Sequence, residues 1–197
     1  MKFSFDQRPI IVAIAGPNGA GKSTFHDTYI AQSKLFFINA DIIALKSGVS
    51  AYEAAEAAGQ IRDDFVERQE SFVFETVLSD PVGDKIDFLK RVAAKGYTVV
   101  LFFIGVKSSA VSHSRVRMRV SQGGHGVPQD KLDARYPRTM ANLARAIRAL
   151  PSVFVFDNSD LRQPYHLLAE YRDGQLAERG DSWPEWFQQM LGQSVAD

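Results

Sequence analysis

The sequence contains no cysteine, which excludes a disulfide framework and any thiolate metal site. It also lacks an apolar run approaching the roughly 20 residues needed to span a bilayer. The longest run, YTVVLFFIGV, has only the length of a strand. The N-terminal residues show no basic segment followed by an apolar stretch, so we expect no secretory signal. These absences predict a soluble, cytoplasmic protein that does not work in a membrane.

An overall excess of one charge is missing as well, because 23 basic residues balance 23 acidic residues. The charges are nevertheless unevenly placed. Nine lysines and arginines but only two acids lie between Val106 and Leu150, a net charge of +7. A basic segment within a neutral chain indicates a local anionic ligand rather than a general polyanion such as duplex DNA. The alternative is that these charges only solvate helix faces.

Five short apolar runs alternate with helical patterns along 197 residues, a length that fits one domain spanning 1–197. The pattern predicts an α/β fold with a five-stranded parallel sheet flanked by helices. After the fifth run, the pair Asp173-Gly174 predicts a hairpin. The stretch SWPEWFQQML predicts a final helix, whose two tryptophans we expect to pack against the core.

The stretch IVAIAGPNGAGKSTF places a glycine-rich loop between a buried strand and a helix. Residues 16–23 match the motif G-x-x-x-x-G-K-[ST] in full, which predicts binding of a nucleoside triphosphate. Glycines let successive backbone N–H groups turn inward, the lysine reaches the β- and γ-phosphates, and the serine hydroxyl suits Mg²⁺. The predicted nucleotide-binding residues are Gly16, Pro17, Asn18, Gly19, Ala20, Gly21, Lys22, Ser23 and Thr24, with Ser23 as the metal ligand.

Polar residues follow the second and third predicted strands, where ligands of parallel sheets bind. In FFINADIIA, Asn39 and Asp41 come directly after the second strand and are candidate substrate-binding residues. A carboxylate there faces the phosphate loop, so we assign Asp41 as the base that accepts a proton from a substrate hydroxyl. The alternative is a helix N-cap. Glu75 and Thr76 end the third strand and are candidate substrate-binding residues. Glu75 holds Mg²⁺ through water, binds substrate hydroxyls or has a structural role.

The fifth strand ends in FDNS, near the place where a base would lie in such a sheet. Asn158 is therefore a candidate hydrogen-bond partner of adenine. An Asx turn that ends the strand explains the same residue equally well.

Two arginine pairs occupy a predicted helical lid at approximately 108–137. Arg115 and Arg119 are four residues apart and share a helix face, whereas Arg117 points elsewhere. Arg135 and Arg138 form the second pair. Planar guanidinium groups on a closing lid neutralise the charge of a triphosphate, so we expect at least one arginine of these two pairs to contact ATP.

These features favour an ATP- and Mg²⁺-dependent kinase that phosphorylates a hydroxyl of a small molecule. A second hypothesis is an ATPase or nucleotide-dependent switch that acts on a protein partner. The sequence has no LSGGQ-like signature and no strand ending in paired acids to activate water. A third is a nucleic-acid 5′-hydroxyl kinase, but the basic segment offers essentially one aromatic residue, Tyr136, for base stacking, so we expect no nucleic-acid partner.

Taken together, GPNGAGKST, INADIIA, FETVLS, the arginine-rich lid with GGHGVP, and FVFDNS resemble the zeta-toxin-like P-loop kinases. The resemblance covers roughly Ile10 to Ser159. It implies a strand order of 2-3-1-4-5 and phosphorylation of a sugar hydroxyl of UDP-N-acetylglucosamine. It also implies an antitoxin as a protein partner.

The same resemblance implies roles for individual residues. The family's catalytic aspartate matches Asp41, and its substrate-binding pair is similar to Glu75 and Thr76, although the spacing differs. One phosphate-clamping arginine corresponds to Arg115 or Arg119. The other falls near His125, where this sequence has no arginine.

Overall fold

The computed structural model describes residues 5–121, 123 and 126–193. The strands are β1 Ile10–Ala15, β2 Phe36–Ile38, β3 Phe72–Thr76, β4 Thr98–Gly105, β5 Ser152–Asp157, β6 His166–Arg172 and β7 Gln175–Arg179. The α-helices are α1 Lys22–Phe25, α2 Ala40–Ser47, α3 Ala51–Glu67, α4 Asp84–Ala94, α5 Ser109–Ser121, α6 Gln129–Ala149 and α7 Glu185–Gln193. A π-helix, His26–Ile30, and a 3₁₀ turn, Ala31–Ser33, continue α1.

The strands form one sheet in the order β2-β3-β1-β4-β5-β6-β7. The first five are parallel, which confirms the α/β class and the parallel order 2-3-1-4-5. The sheet has seven strands rather than five, because the C-terminal hairpin joins it. An isolated hairpin is only marginally stable in water, and β6 instead pairs antiparallel with the open edge of β5.

The central strand β1 is buried along its whole length, as its continuous apolar sequence predicts. Alternate side chains enter two separate cores, one on each face of the sheet. Ile11 and Ala13 belong to the larger core, which α4, α6 and α7 cover. Val12 and Ile14 belong to the smaller core with Phe25 of α1. Burial on both faces fixes β1 and therefore the loop that follows it.

Polar contacts set the ends and positions of the helices around the sheet. Ser50 and Glu53 form the capping box that begins α3. On α6, Thr139 donates to the Val77 carbonyl oxygen at 3.0 Å, and Asn142 donates to the carbonyl oxygen of Leu78 at 3.0 Å. These bonds fasten α6 to the segment that follows β3, next to the ends of the parallel strands.

The two tryptophans at the final helix α7 pack against the core, as expected from the sequence. The Trp186 ring lies against Gly105, where an added Cβ would come within 2.3 Å of it, and its indole N–H donates to Asp157 at 3.0 Å. Trp183 donates to the Leu168 carbonyl oxygen at 2.8 Å. Within the described part of the chain, no helix combines the length and apolar character that crossing a bilayer requires.

Candidate functional site

The loop between β1 and α1 has a backbone that only glycine accommodates at its key positions. Gly16, Gly19 and Gly21 have φ values of 142°, 72° and 93°. A Cβ on Gly16 would lie 2.1 Å from the Ile104 carbonyl oxygen, and one on Gly21 would lie 2.7 Å from Asn158 Nδ2. The glycines of the motif are therefore required both by conformation and by space.

Lys22 lies over this loop with 6% of its surface exposed. Its ammonium donates to the Pro17 carbonyl oxygen at 3.0 Å and lies 3.7 Å from Glu75 Oε1. Burial lowers the pKa of Lys22, while the negative charges of Glu75 and Asp41 act in the opposite direction. The lysine therefore brings a positive charge to the loop and lies within the electrostatic influence of both carboxylates.

Glu75, at the end of β3, connects the loop to the neighbouring strand. Its Oε2 accepts a hydrogen bond from Ser23 at 2.8 Å and another from Asn39 Nδ2 at 2.9 Å. The sequence leaves open whether this carboxylate serves the metal or the substrate. The structure places it against the hydroxyl predicted to bind Mg²⁺ and, through Asn39, beside the chain that follows β2.

Asn39 also begins helix α2. Its side-chain oxygen accepts from the backbone N–H groups of Asp41 at 2.8 Å and Ile42 at 3.2 Å, so Asn39 rather than Asp41 is the N-cap. Asp41, in the first turn of α2, is exposed. One amide side chain thus fixes both Glu75 and the helix that carries Asp41.

A cavity of about 210 Å³ lies beside these groups. Asn39, Asp41, Glu75 and Thr76 line it, so the structure brings together all four predicted substrate-binding residues. Because Glu75 also contacts Ser23 and Lys22, the cavity adjoins the phosphate loop. The Thr76 hydroxyl accepts from the Leu78 N–H at 3.1 Å, which shapes the turn after β3.

Helix α5 packs directly on the phosphate loop. Ser112 donates to the Asn18 carbonyl oxygen at 2.6 Å, and the Arg115 Cβ lies 3.1 Å from where a Cβ of Gly19 would be. The Arg115 guanidinium donates to the Ser159 carbonyl oxygen at 3.1 Å. Its burial lowers the pKa of Arg115, against the opposing charge of Asp157.

Arg119 lies one turn further along the same helix face and is also half-buried. Its charge contributes to lowering the pKa of Lys22, which places it within electrostatic reach of the loop. Arg117 is exposed on another face, as the spacing predicts. On α6, Arg135 is half-buried, whereas Arg138 is exposed and donates to the carbonyl oxygen of Ala134. His125 lies outside the described residues.

Asn158 supports the phosphate loop by hydrogen bonding to its backbone. With 3% of its surface exposed, it donates to the Ala20 carbonyl oxygen at 2.8 Å and accepts from the Tyr165 N–H at 3.4 Å. The Tyr165 hydroxyl donates to the Gly21 carbonyl oxygen at 2.9 Å. These bonds tie the loop to the end of β5, and a contact between Asn158 and adenine stays a prediction.

Replacing Asn158 with alanine is expected to lower the free energy of unfolding by about 1–3 kcal/mol, because the buried Ala20 carbonyl loses its donor. Amide hydrogen exchange in the phosphate loop should accelerate at the same time. Asn142→Ala is the matched control, since this equally buried asparagine also donates to backbone carbonyls but on α6. The Asn142→Ala variant should lose similar stability without faster exchange in the loop. Equal exchange rates in the loop of both variants would contradict the supporting role of Asn158.

Tyr136 is half-buried and hydrogen-bonded within the protein. Its hydroxyl donates to the Val106 carbonyl oxygen at 2.8 Å, and burial raises the pKa of Tyr136 to about 12, with a contribution from Asp157. This arrangement anchors α6 to the end of β4.

The oxygen groups of the site fit Mg²⁺ better than a metal held by protein alone. Among the described residues, no group of three or more His, Cys, Asp or Glu side chains is arranged to hold a metal ion. Ser23 and Glu75 instead offer one hydroxyl and one carboxylate beside the loop. Mg²⁺ commonly binds through one or two carboxylates together with water and substrate phosphates, and this donor set matches that requirement.

Several groups that build the site carry no recognisable sequence motif. Ser112 and Tyr165 contact the phosphate loop from 94 and 144 residues away in sequence. Arg62 and Lys85 line the cavity from α3 and α4. Only the three-dimensional fold brings these four residues to the loop and the cavity, and no local spacing in the sequence signals them.

The parallel core, the glycine loop and the carboxylates at the adjacent strand ends define a protein of the P-loop kinase fold class. The chain belongs to the zeta toxin family, whose sequence model matches residues 38–166. The match begins at the end of β2, so the phosphate loop lies outside the matched residues. A Haemophilus influenzae (strain ATCC 51907 / DSM 11121 / KW20 / Rd) protein of uncharacterised function is 26% identical over 126 residues, which cover 61% of this chain and 88% of that relative.

Solved structures share the fold at low sequence identity. AvrRxo1-ORF1:ORF2 with ATP has a TM-score of 0.72 and 16% identity, covering 94% of this chain and 64% of that chain. This chain therefore spans less than two thirds of that relative. A chain of the PezAT toxin-antitoxin system of Streptococcus pneumoniae has a TM-score of 0.55 and 17% identity, and the match covers 98% of this chain and 87% of that chain. A putative kinase from Chloroflexus aurantiacus has a TM-score of 0.55 and 18% identity, and the match covers 80% of this chain and 92% of that chain.

Proposed function

We propose that this protein is an ATP- and Mg²⁺-dependent kinase that transfers the γ-phosphoryl group to a hydroxyl of a small molecule. The observation that supports the proposal most strongly is that the cavity and the phosphate loop adjoin each other. The cavity lined by Asp41 and Glu75 adjoins the phosphate loop through the 2.8 Å hydrogen bond between Glu75 and Ser23. A donor and an acceptor bound in these two places would meet beside Asp41.

The phosphate loop would hold the donor. Lys22 and the backbone N–H groups of residues 16–23 would bind its phosphates, and Ser23 with Glu75 would hold Mg²⁺. When bound, ATP supplies the phosphoryl group and Mg²⁺ supplies positive charge beside the β- and γ-oxygens. The protein's own contribution is to fix these positive groups before the reaction, which avoids reorganisation in the transition state.

Asp41 would act on the acceptor. Its carboxylate takes the proton of the acceptor hydroxyl as that oxygen bonds to the γ-phosphorus and the bond from phosphorus to the ADP oxygen breaks. Asn39 supports this role, because it caps α2 and bonds Glu75 with the other end of its amide. The helix bearing Asp41 is thereby held in a fixed position relative to the loop.

The lid arginines would complete the charge around the phosphates. Arg115 and Arg119 occupy the face of α5 that packs on the loop, so we propose them as the phosphate-contacting pair. Arg117 is exposed on the opposite side and has no such role. Guanidinium groups suit this task because their planar donors match phosphate oxygens bidentately.

The acceptor that zeta-toxin resemblance implies is a UDP-N-acetyl sugar, which makes it the reference compound in a substrate test. PezAT is a toxin–antitoxin system, and AvrRxo1-ORF1 forms a complex with ORF2. By analogy with these relatives, we propose that an antitoxin protein binds this chain. Co-purification of the chain with the product of an adjacent reading frame, and loss of activity in that complex, would support this partner.

The proposal is tested by incubating the protein with ATP, Mg²⁺ and a pool of UDP-sugars, nucleosides and small polyols. We expect a product heavier by one phosphoryl group, detected by mass spectrometry, together with equimolar ADP. ATP hydrolysis that appears only with a protein partner would support a nucleotide-dependent switch instead. In a parallel reaction with a 5′-hydroxyl oligonucleotide, addition of a phosphoryl group only to that 5′ end would support a nucleic-acid kinase.

A further inference from the structure

The acceptor cavity has two basic residues that the proposed phosphoryl transfer does not use. Arg62 from α3 and Lys85 from α4 line it together with Asp41, Glu75 and Asn39. Glu75 is already engaged by Ser23, Asn39 and Lys22. The cavity therefore contains acidic groups near the phosphate loop and also two cations, whose presence the proposed phosphoryl transfer does not explain.

Arg62 is held in a defined position by aromatic rings. Its guanidinium carbon lies 5.2 Å from the ring centre of Phe74 and 5.8 Å from that of Phe88. Burial lowers the pKa of Arg62, and the charge of Asp63 acts in the opposite direction. Among the described residues it forms neither a hydrogen bond nor an ion pair with a carboxylate. Its N–H groups are thus available to a ligand in the cavity.

Lys85 also lines the cavity. It occupies the first turn of α4, three residues before Phe88, so these two residues share a helix face. Arg62 contacts the Phe88 ring as well, so both cations approach the same part of α4. Lys85 is half-buried and, within the described parts of the chain, forms no ion pair with an acid.

A purely structural role explains this arrangement less well. The rings stabilise an arginine whether or not a cavity adjoins it. They do not account for a second cation that lines the same cavity. Partly buried charges are usually paired, because desolvation without a partner is costly. Two cations that line one cavity, and that form no ion pair within the described part of the chain, indicate that the missing partner is an anion of the ligand.

We infer that the acceptor is a compact hydroxyl compound that carries an anionic group, a phosphate or a carboxylate, bound by Arg62 and Lys85. This inference rests on the proposed kinase function. The hydroxyl lies at Asp41 and the anion at Arg62 and Lys85. The two contacts orient the acceptor so that one hydroxyl, rather than any hydroxyl, faces the phosphate loop.

The size of the cavity suits a small acceptor. Its volume is about 210 Å³, and it is partly open to solvent. A hydroxy acid or a sugar phosphate matches this space and the charges of Arg62 and Lys85.

The chemical class is tested with a bacterial metabolite extract separated by anion exchange. Three fractions, neutral compounds, small anions and nucleotide sugars, are each incubated with the protein, Mg²⁺ and ATP labelled at the γ-phosphate. We expect labelled product from the small anions, and phosphatase treatment of that fraction beforehand distinguishes a phosphate from a carboxylate. Product from only the neutral or nucleotide-sugar fraction would overturn the inference while leaving the kinase intact. Absence of product from all three would contradict the kinase function itself.

Substitutions test the two cations directly, with the small-anion fraction used at serial dilution as the probe. Lys85→Gln and Arg62→Gln should each raise the concentration needed for half-maximal rate by about tenfold, since each removes a charged hydrogen bond. The maximal rate and the KM for ATP should change little. Arg62→Lys should recover part of the loss, because the charge remains.

Matched controls separate this effect from a general change of charge or stability. Lys90→Gln and Arg68→Gln remove exposed charges at other positions of α4 and at the end of α3. Both should behave as the unmodified protein. Among the described residues, Lys85 forms no cation–π contact with Phe74 or Phe88, so Lys85→Gln should fold normally even if Arg62→Gln loses stability. An unchanged dilution curve for Lys85→Gln and Arg62→Gln would overturn the assignment.

Discussion

Replacing Asp41 with asparagine is expected to reduce phosphoryl transfer by about 10²–10⁴-fold, the usual contribution of a positioned general base. The affinity for ATP should be nearly unchanged, because Asp41 lines the acceptor cavity and is not part of the phosphate loop. Stability should also be retained. The side chain is exposed, and the N-cap bond to the Asp41 backbone N–H comes from Asn39. Single-turnover rates and nucleotide titrations measure the two effects separately.

Asp64→Asn is the control for this change. Asp64 is exposed on α3 and does not line the cavity, so the same loss of one negative charge should leave the rate unaffected. Full activity of the Asp41 variant would reject the role of base. A large loss of ATP affinity would place Asp41 with the nucleotide rather than with the acceptor.

Replacing Lys22 with alanine is expected to lower the maximal rate by about 10²–10³-fold, the effect of removing one preorganised donor from a developing negative charge. Affinity for ATP should fall as well, since Lys22 is the buried cation of the loop. Lys22→Arg should not restore activity, because a planar guanidinium does not fit the space between Pro17 and Glu75 that the ammonium occupies.

Lys46→Ala tests whether any lysine substitution near the site has this effect. Lys46 is exposed in the last turn of α2. Its variant should retain both rate and affinity, measured by product formation and by titration with ATP. Unchanged kinetics in Lys22→Ala would contradict the assignment of the glycine loop as the phosphate site.

The phosphate loop is predictable from sequence because its chemistry is local. Residues 16–23 are contiguous, and their glycine conformations follow from steric limits that act over a few residues. The same is true of the capping box at Ser50 and of the apolar runs that become β1 and β4. Ligand placement at the ends of parallel strands then directs attention to Asp41 and Glu75.

The connections between these segments are not local. Glu75 is separated from Ser23 by 52 residues and from Asn39 by 36 residues in sequence. No spacing in the sequence predicts that one carboxylate oxygen of Glu75 accepts a hydrogen bond from both. The pairing of β6 with β5, which extends the sheet to seven strands, likewise depends on which edge remains open after the parallel strands assemble.

The sequence by itself determined the α/β class, the glycine loop, the basic lid helices and the polar residues that follow β2 and β3. Short-range backbone preferences and hydrophobic periodicity encode these features. Only the tertiary structure decided that Asn158 supports the loop, that Arg115 packs against it, and that Arg62 and Lys85 line one cavity with Asp41. Such side chains acquire their surroundings only when distant segments pack, because burial and electrostatic neighbours are properties of the assembled fold.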